Sequence, residues 1–168
     1  MKMSKTTDDL KAAFAGESQA NRKYLAFAAV AKAEGKTNLA RLFMAVAEGE
    51  TIHALKHFKT LGEINSSLEN VKTALAGETY EIETMYPEFI KDAQAEGEKL
   101  AEMSFTAANE VEKNHQKQFS AALVSVEAGN DIEEAQYHVC SVCGNLFDGE
   151  LPDNCPICKV PKEKFIKI

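Results

Sequence analysis

Hydrophobic positions recur at spacings of three and four for most of the chain. Over residues 7–34 one stripe reads Leu10, Phe14, Glu17, Asn21, Tyr24, Ala28 and Ala31, the period of an amphipathic helix. A second, over about 38–64, reads Phe43, Val46, Glu50, His53, His57 and Leu61. A third helix is predicted over about 78–96, on the line of Leu75, Glu78, Ile82, Met85 and Phe89. The fourth, over about 98–128, carries Phe105, Ala108, Glu112, His115, Phe119, Ala122 and Val126. Gly35 ends the first helix, and Thr37 or Asn38 is placed to cap the second. Residues 65–77 hold turn formers and then room for a short helix. Pro87 removes a backbone donor, which predicts a kink or an irregular turn near Tyr86. Gly129-Asn130-Asp131 stops the helical pattern and marks a domain boundary.

All four stripes carry the same anomaly, a glutamate on the face that should be buried. A carboxylate turned toward a bundle core is costly unless something compensates it, and a metal cation would. Glu50-x-x-His53 and Glu112-x-x-His115 have the spacing that di-iron carboxylate bundles use. The segments AFAGES (13–18) and ALAGET (74–79) are near copies, and each is followed 33 or 34 residues later by one of these pairs. The helical region therefore reads as one hairpin used twice, with Glu17, Glu50, Glu78 and Glu112 brought to one level. Glu81, one turn beyond Glu78, adds a fifth carboxylate. Five carboxylates against two divalent cations leave about one negative charge, and carboxylate with imidazole suits iron or manganese, zinc less exclusively. Tyr24 and Tyr86 lie within reach of the carboxylates as hydrogen-bonding supports, with ordinary packing as the alternative. His57 shares the face as a supporting or interface residue.

The composition agrees with a helical bundle of small, closely packed side chains: 45% hydrophobic, 8% aromatic and no tryptophan in 168 residues. A net charge of −7, with no basic stripe, argues against nucleic acid as a partner. The N-terminal residues lack the apolar core of a signal peptide, and the longest apolar run, 25–31, is too short to cross a bilayer. The expectation is a soluble, cytoplasmic protein without a membrane partner.

All four cysteines fall in the last 29 residues, as Cys140-x-x-Cys143 and Cys155-x-x-Cys158. Residues 132–168 are too few to bury a self-sufficient core, and their sizeable apolar residues are Tyr137, Leu146, Phe147, Ile157 and Phe165. Two such knuckles, eleven residues apart, predict a tetrahedral four-thiolate metal site. Spacing alone favours zinc. The flanking Tyr137, Gly144, Pro156, Pro161 and Phe165 resemble a short rubredoxin, whose metal is a single redox-active iron. Lys159 departs from that pattern, since glycine often follows the fourth cysteine.

Taken whole, the chain resembles the rubrerythrin family. The resemblance rests on GES (16–18), EGETIHA (48–54), AGETYEIETMYPEF (76–89), EVEKNH (110–115) and the two cysteine knuckles. It implies an all-α ferritin-like four-helix bundle over 1–131, followed by a small rubredoxin-like metal-knuckle domain over 132–168. It also implies a non-haem di-iron peroxidase that reduces hydrogen peroxide to water in defence against oxidative stress. Electrons would come from NAD(P)H through a separate reductase, or from a rubredoxin, by way of the four-cysteine iron. Carried over by position, Glu17, Glu50 and Glu81 would hold one iron and Glu78, Glu112 and His115 the other, with Glu50 and Glu112 bridging. His53 would replace Glu81 on reduction, because Fe(II) needs less anionic charge than Fe(III). Glu50 and Glu78 are only 28 residues apart, a tight crossover for a ferritin-like bundle, so a homodimer is expected, with exchange of helix hairpins between subunits as one way to build it. The rival readings are a ferroxidase or iron-handling protein and a non-catalytic electron-transfer module with a zinc ribbon.

Overall fold

A computed structural model describes residues 4–168, which divide into two compact units between Asn65 and Ser66. The first unit is a hairpin of two long helices, α1 (Lys5–Ala33) and α2 (Thr37–Leu61), packed along their length. Ser4 caps α1 by accepting the Thr7 N–H. The turn between the helices is tighter than the sequence pattern predicts. The Lys36 N–H closes back on the Ala31 carbonyl at 2.8 Å, and α2 starts at once. Thr37 is thus the first residue of the helix, and neither it nor Asn38 acts as the cap. The seam between α1 and α2 is built of buried alanines, Ala28 and Ala31 on one side and Ala40, Ala47 and Ala54 on the other. Short side chains let the helices approach closely. They leave larger residues, Leu25, Phe27, Leu42 and Met44 among them, exposed.

The second unit opens with α3 (Ser67–Tyr80), eleven residues earlier than the periodic stripe places the third helix. Ser66 caps it by accepting the Glu69 N–H, a Ser-x-x-Glu start that the polarity of residues 65–70 hides from a hydrophobic count. The helix runs through a π turn at Glu81–Met85 into α4 (Tyr86–Glu96). The irregularity falls where Pro87 requires it. Its ring has no N–H for the preceding turn, and the widened turn is closed by Tyr86 N–H donating to the Glu81 carbonyl. Gly97, in the left-handed conformation at φ 75°, ends α4. The last helix, α5 (Lys99–Glu127), packs against α3, the π turn and α4, with Phe105 against Phe89 at a ring-centroid distance of 5.5 Å.

After α5 the chain forms a three-stranded antiparallel sheet, β1 (Tyr137–Cys140) between β2 (Leu146–Asp148) and β3 (Phe165–Lys167). Phe147 and Phe165 stack at 4.5 Å and form most of its apolar filling. The two knuckles repeat one backbone pattern. Gly144 N–H donates to the Cys140 carbonyl and Lys159 N–H to the Cys155 carbonyl, both at 2.9 Å. Gly144 has φ 82°, and Lys159, at φ 62°, is the only non-glycine residue with positive φ among the described residues. The lysine thus occupies a conformation that its Cβ disfavours. Replacing Lys159 by glycine should raise the stability of this module by about 1 kcal/mol. Chelator-induced unfolding followed by circular dichroism would measure it, and a fall in stability would show that the Lys159 Nζ bond to the Pro156 carbonyl outweighs the strain.

Candidate metal centres

The duplicated motif folds into two trios with matching geometry, one in each unit. In the hairpin of α1 and α2, the His53 Nδ1 lies 3.1 Å from Glu50 and 4.0 Å from Glu17. On α3 and α5, the His115 Nδ1 lies 2.6 Å from Glu112 and 4.0 Å from Glu78. In each trio, one ligand atom per residue can be chosen so that all lie within 4.8 Å of one another. The trios differ in cover: the His53 side chain is 59% exposed and that of His115 28%.

The carboxylates crowd each other. A hydrogen bond with Glu50, then burial and the Glu50 charge, hold the Glu17 carboxyl above its ordinary value, with His53 and His57 opposing the shift. Burial, a hydrogen bond with Glu112 and the Glu112 charge push Glu78 up to about 7. Glu81 opens the π turn and is raised by burial and by Glu112, so it stands in the field of the second trio. Tyr86 is held above the ordinary phenol value by burial and by Glu81, Glu112 and Glu78. Tyr24 sits in an aromatic cluster, 6.2 Å from both Phe27 and Phe43 between ring centroids. An anionic, oxygen-rich site in which burial and neighbouring carboxylates raise Glu17, Glu78 and Glu81 is one that a divalent cation relieves, so the donor set fits iron.

The hydroxyl residue after Glu17, Glu50 and Glu78 is not singled out by the sequence pattern, although Gly-Glu-Ser/Thr occurs at 16–18, 49–51 and 77–79. Ser18, Thr51 and Thr79 donate to the carbonyls of Phe14, Ala47 and Leu75, one turn back. Thr51 also accepts from Asn21 at 2.8 Å, and Thr79 accepts from Gln116 at 2.9 Å. Each brace ties together the two helices that carry a trio, next to its ligands. The repeat of Gly-Glu-Ser/Thr is the signal that would have found them.

The four cysteines are free thiols that converge, with Cys140 Sγ to Cys158 Sγ and Cys143 Sγ to Cys155 Sγ both at 3.5 Å. A tetrahedron with metal–sulfur bonds of about 2.3 Å has edges of about 3.8 Å, so a single metal ion fits between them. Backbone N–H groups point at the sulfurs: Asn145 at Cys143, Val160 at Cys158, and both Val142 and Cys143 at Cys140. Burial raises Cys140, but those N–H donors bring it down to about 7, whereas burial pushes Cys143 up to about 12 and also raises Cys158. Only a cation lets four such sulfurs be thiolates together.

Two family models match this chain. The one described as Rubrerythrin covers residues 8–123, and the one described as the rubredoxin-like domain of rubrerythrin covers 138–166. The chain belongs to the rubrerythrin family. Rubrerythrin-2 of Clostridium acetobutylicum is 37% identical over 98% of this chain and 97% of its own length. Nigerythrin of Nitratidesulfovibrio vulgaris is also 37% identical, over 95% of this chain and 85% of its own length. The solved structure of nigerythrin in its fully reduced, all-ferrous state superposes with a TM-score of 0.58 at 35% identity, covering 100% of this chain and 89% of that one. As a rubrerythrin-family protein it has an all-α ferritin-like fold with a C-terminal rubredoxin-like knuckle domain, and it carries a di-iron site and a four-cysteine iron site. Among the described residues no helix is long and apolar enough to cross a membrane.

Replacing Thr79 by valine would keep its shape and remove the Gln116 brace. It should cost about 1–2 kcal/mol of stability and lower iron affinity at the di-iron site roughly 10–100-fold. Thermal unfolding of the apoprotein and competitive iron titration would measure the two effects separately.

Proposed function

We propose that this chain is a non-haem di-iron peroxidase that reduces hydrogen peroxide to water, fed with electrons through its four-cysteine iron. The supporting observation is the pair of matched Glu–Glu–His trios, Glu17–Glu50–His53 and Glu78–Glu112–His115. Neither trio alone offers enough ligands for two metals, and together with Glu81 they make a seven-ligand set. The ligands of the third iron are Cys140, Cys143, Cys155 and Cys158. The bundle domain is taken as 1–131 and the knuckle domain as 132–168.

When bound, the iron pair supplies the two electrons that, with two protons, convert one peroxide into two waters. The protein's part is electrostatic and positional. Glu50 and Glu112 would be ligands shared by the pair, and the exposed His53 would offer a neutral ligand in place of the Glu81 carboxylate. The Tyr86 phenol, kept protonated by burial and by the Glu81, Glu112 and Glu78 carboxylates, stands ready as a hydrogen-bond donor to them. Electrons reach the knuckle from a separate NAD(P)H-linked reductase or a rubredoxin. The cytoplasm, where thiols stay reduced, is the fitting compartment for four free cysteines.

The di-iron site requires a second copy of the chain. Leu61 lies eleven residues after Glu50, and Ser67 lies eleven before Glu78. In the ferritin-like topology α2 and α3 run parallel, so levelling these glutamates means climbing back roughly 33 Å at about 1.5 Å per residue. Residues 62–66, even fully extended, span roughly 20 Å. A homodimer with exchanged hairpins brings one protomer's first trio to its partner's second, and covers the exposed Leu25, Phe27, Leu42 and Met44.

Three outcomes are expected. All-ferrous protein mixed anaerobically with peroxide in a stopped-flow cell should reoxidise much faster than with oxygen; equal rates would sink the peroxidase reading. Glu112→Ala should lose the di-iron absorption and the activity while keeping the red of the ferric thiolate, and loss of both would refute the division into two sites. Co-expression of a Glu17→Ala/Glu50→Ala chain with a Glu78→Ala/Glu112→Ala chain should restore one iron pair per hybrid dimer. Without exchange, neither chain can complete a site, and no iron pair would appear.

A further inference from the structure

The knuckle module and the second trio belong to the same compact unit, and one side chain joins them. Asn114 stands on α5 between the ligands Glu112 and His115. Its Nδ2 donates to the Leu146 carbonyl at 2.6 Å and to the Asn145 Oδ1 at 3.1 Å. Asn145 is 4% exposed, the one polar residue buried to that degree among the described residues. Its backbone N–H points at the Cys143 sulfur, and its carbonyl accepts the Cys140 N–H at 2.9 Å. His115 and Leu146 also line a common, mostly apolar cavity of about 540 Å³ with Phe119, Tyr137 and Ile168. The seam between module and helix thus has apolar walls on one side and the asparagine contact on the other.

The duplication provides an internal control. In the first hairpin, the residue between Glu50 and His53 that corresponds to Asn114 is Ile52, which is exposed. No knuckle module follows that hairpin in the sequence. An amide donor occurs only in the copy that has a module beside it.

We infer that Asn114 is a positioning residue that clamps the knuckle module onto α5 and joins the four-cysteine iron to the Glu78–Glu112–His115 half of the di-iron site, through Cys143, Asn145, Leu146, Asn114 and His115. Outside the side chains of Cys143, Asn114 and His115 the route is peptide backbone, and two hydrogen bonds close its gaps, Asn145 N–H to sulfur and Asn114 Nδ2 to the Leu146 carbonyl. The step it serves moves one electron from iron(II) at the four cysteines to iron(III) at the carboxylate–histidine site. That leaves iron(III) and iron(II) behind, and no covalent bond forms or breaks. The inference rests on the di-iron reading above, but not on peroxide being the substrate.

The test uses the full-length protein with all sites loaded, and the variants Asn114→Leu, which removes the donor at similar size, and Asn114→Asp, which sets an acceptor against two acceptors. Pulse radiolysis delivers one electron to all-ferric protein, and the return of the ferric-thiolate colour reports its passage to the di-iron site. Both variants should slow that return several-fold, Asp at least as much as Leu. The colour itself and the potential of the four-cysteine iron should stay as in the wild type. In zinc-loaded protein, where no electron moves, both variants should raise the rate of proteolysis at residues 130–136 about ten-fold, as expected for loss of two docking hydrogen bonds. An unchanged transfer rate in Asn114→Leu would overturn the inference. So would a slowing accompanied by a shifted potential, since the effect would then lie in the knuckle itself. Failure of the peroxidase reading would appear only on mixing with peroxide, and leaves this measurement untouched.

Discussion

The structure depends on an electrostatic conflict: glutamates set face to face on helix surfaces that would otherwise be apolar. Glu50 holds the Glu17 carboxyl above its ordinary value, and burial with Glu112 does the same for Glu78, through shared hydrogen bonds and charge. Left alone, such pairs would favour any arrangement that moved them apart. The helices hold them in place with alanine seams and with braces that do not titrate, Asn21 to Thr51 and Gln116 to Thr79. Those braces set the spacing between helices beside each trio, so the ligand geometry exists before any cation arrives. Binding iron then releases the repulsion that the fold has been holding.

The knuckle module meets the same conflict with different means. Four sulfurs within reach of one another cannot all ionise unaided, and the chain supplies backbone N–H donors from a twice-repeated turn. The bundle uses side-chain hydroxyls and amides because its backbone donors are consumed within helices. The module uses its backbone because tight turns leave N–H groups free to point inward. Lys159 records how strictly that turn is imposed: the conformation is kept although the residue disfavours it.

Much of this was legible in the sequence because both sites are periodic. Glutamates on apolar stripes, the repeat of Ala-Gly-Glu and the paired Cys-x-x-Cys pointed to the helices, the two Glu-x-x-His pairs and the cysteine cluster, whereas the grouping of His53 rather than Glu81 with Glu17 and Glu50 came from the structure. Pro87 located the π turn. The short helix that residues 65–77 have room for is the start of α3 itself, and its cap, Ser66 with Glu69, lies in a polar stretch where hydrophobic periodicity is silent. The supposed cap at Thr37 failed because the preceding turn already satisfied the backbone. Asn114 was invisible for another reason. Its partners are a carbonyl and an amide more than thirty residues away, and no local pattern encodes such a contact.

The two hairpins began as copies, and their differences are concentrated in one of them. The second has the π turn, Glu81 where the first has Ala20, Asn114 where the first has Ile52, and the better-covered histidine. Each difference adds polarity or constraint to the unit that carries the knuckle module. The first hairpin keeps the simpler ligand set and the more exposed His53. A rigid, hydrogen-bonded contact serves electron entry, since every gap in the route slows it. An exposed histidine with few constraints can move without disturbing the core. Duplication supplied two equal halves, and the division of labour followed from adding packing and polar contacts to only one.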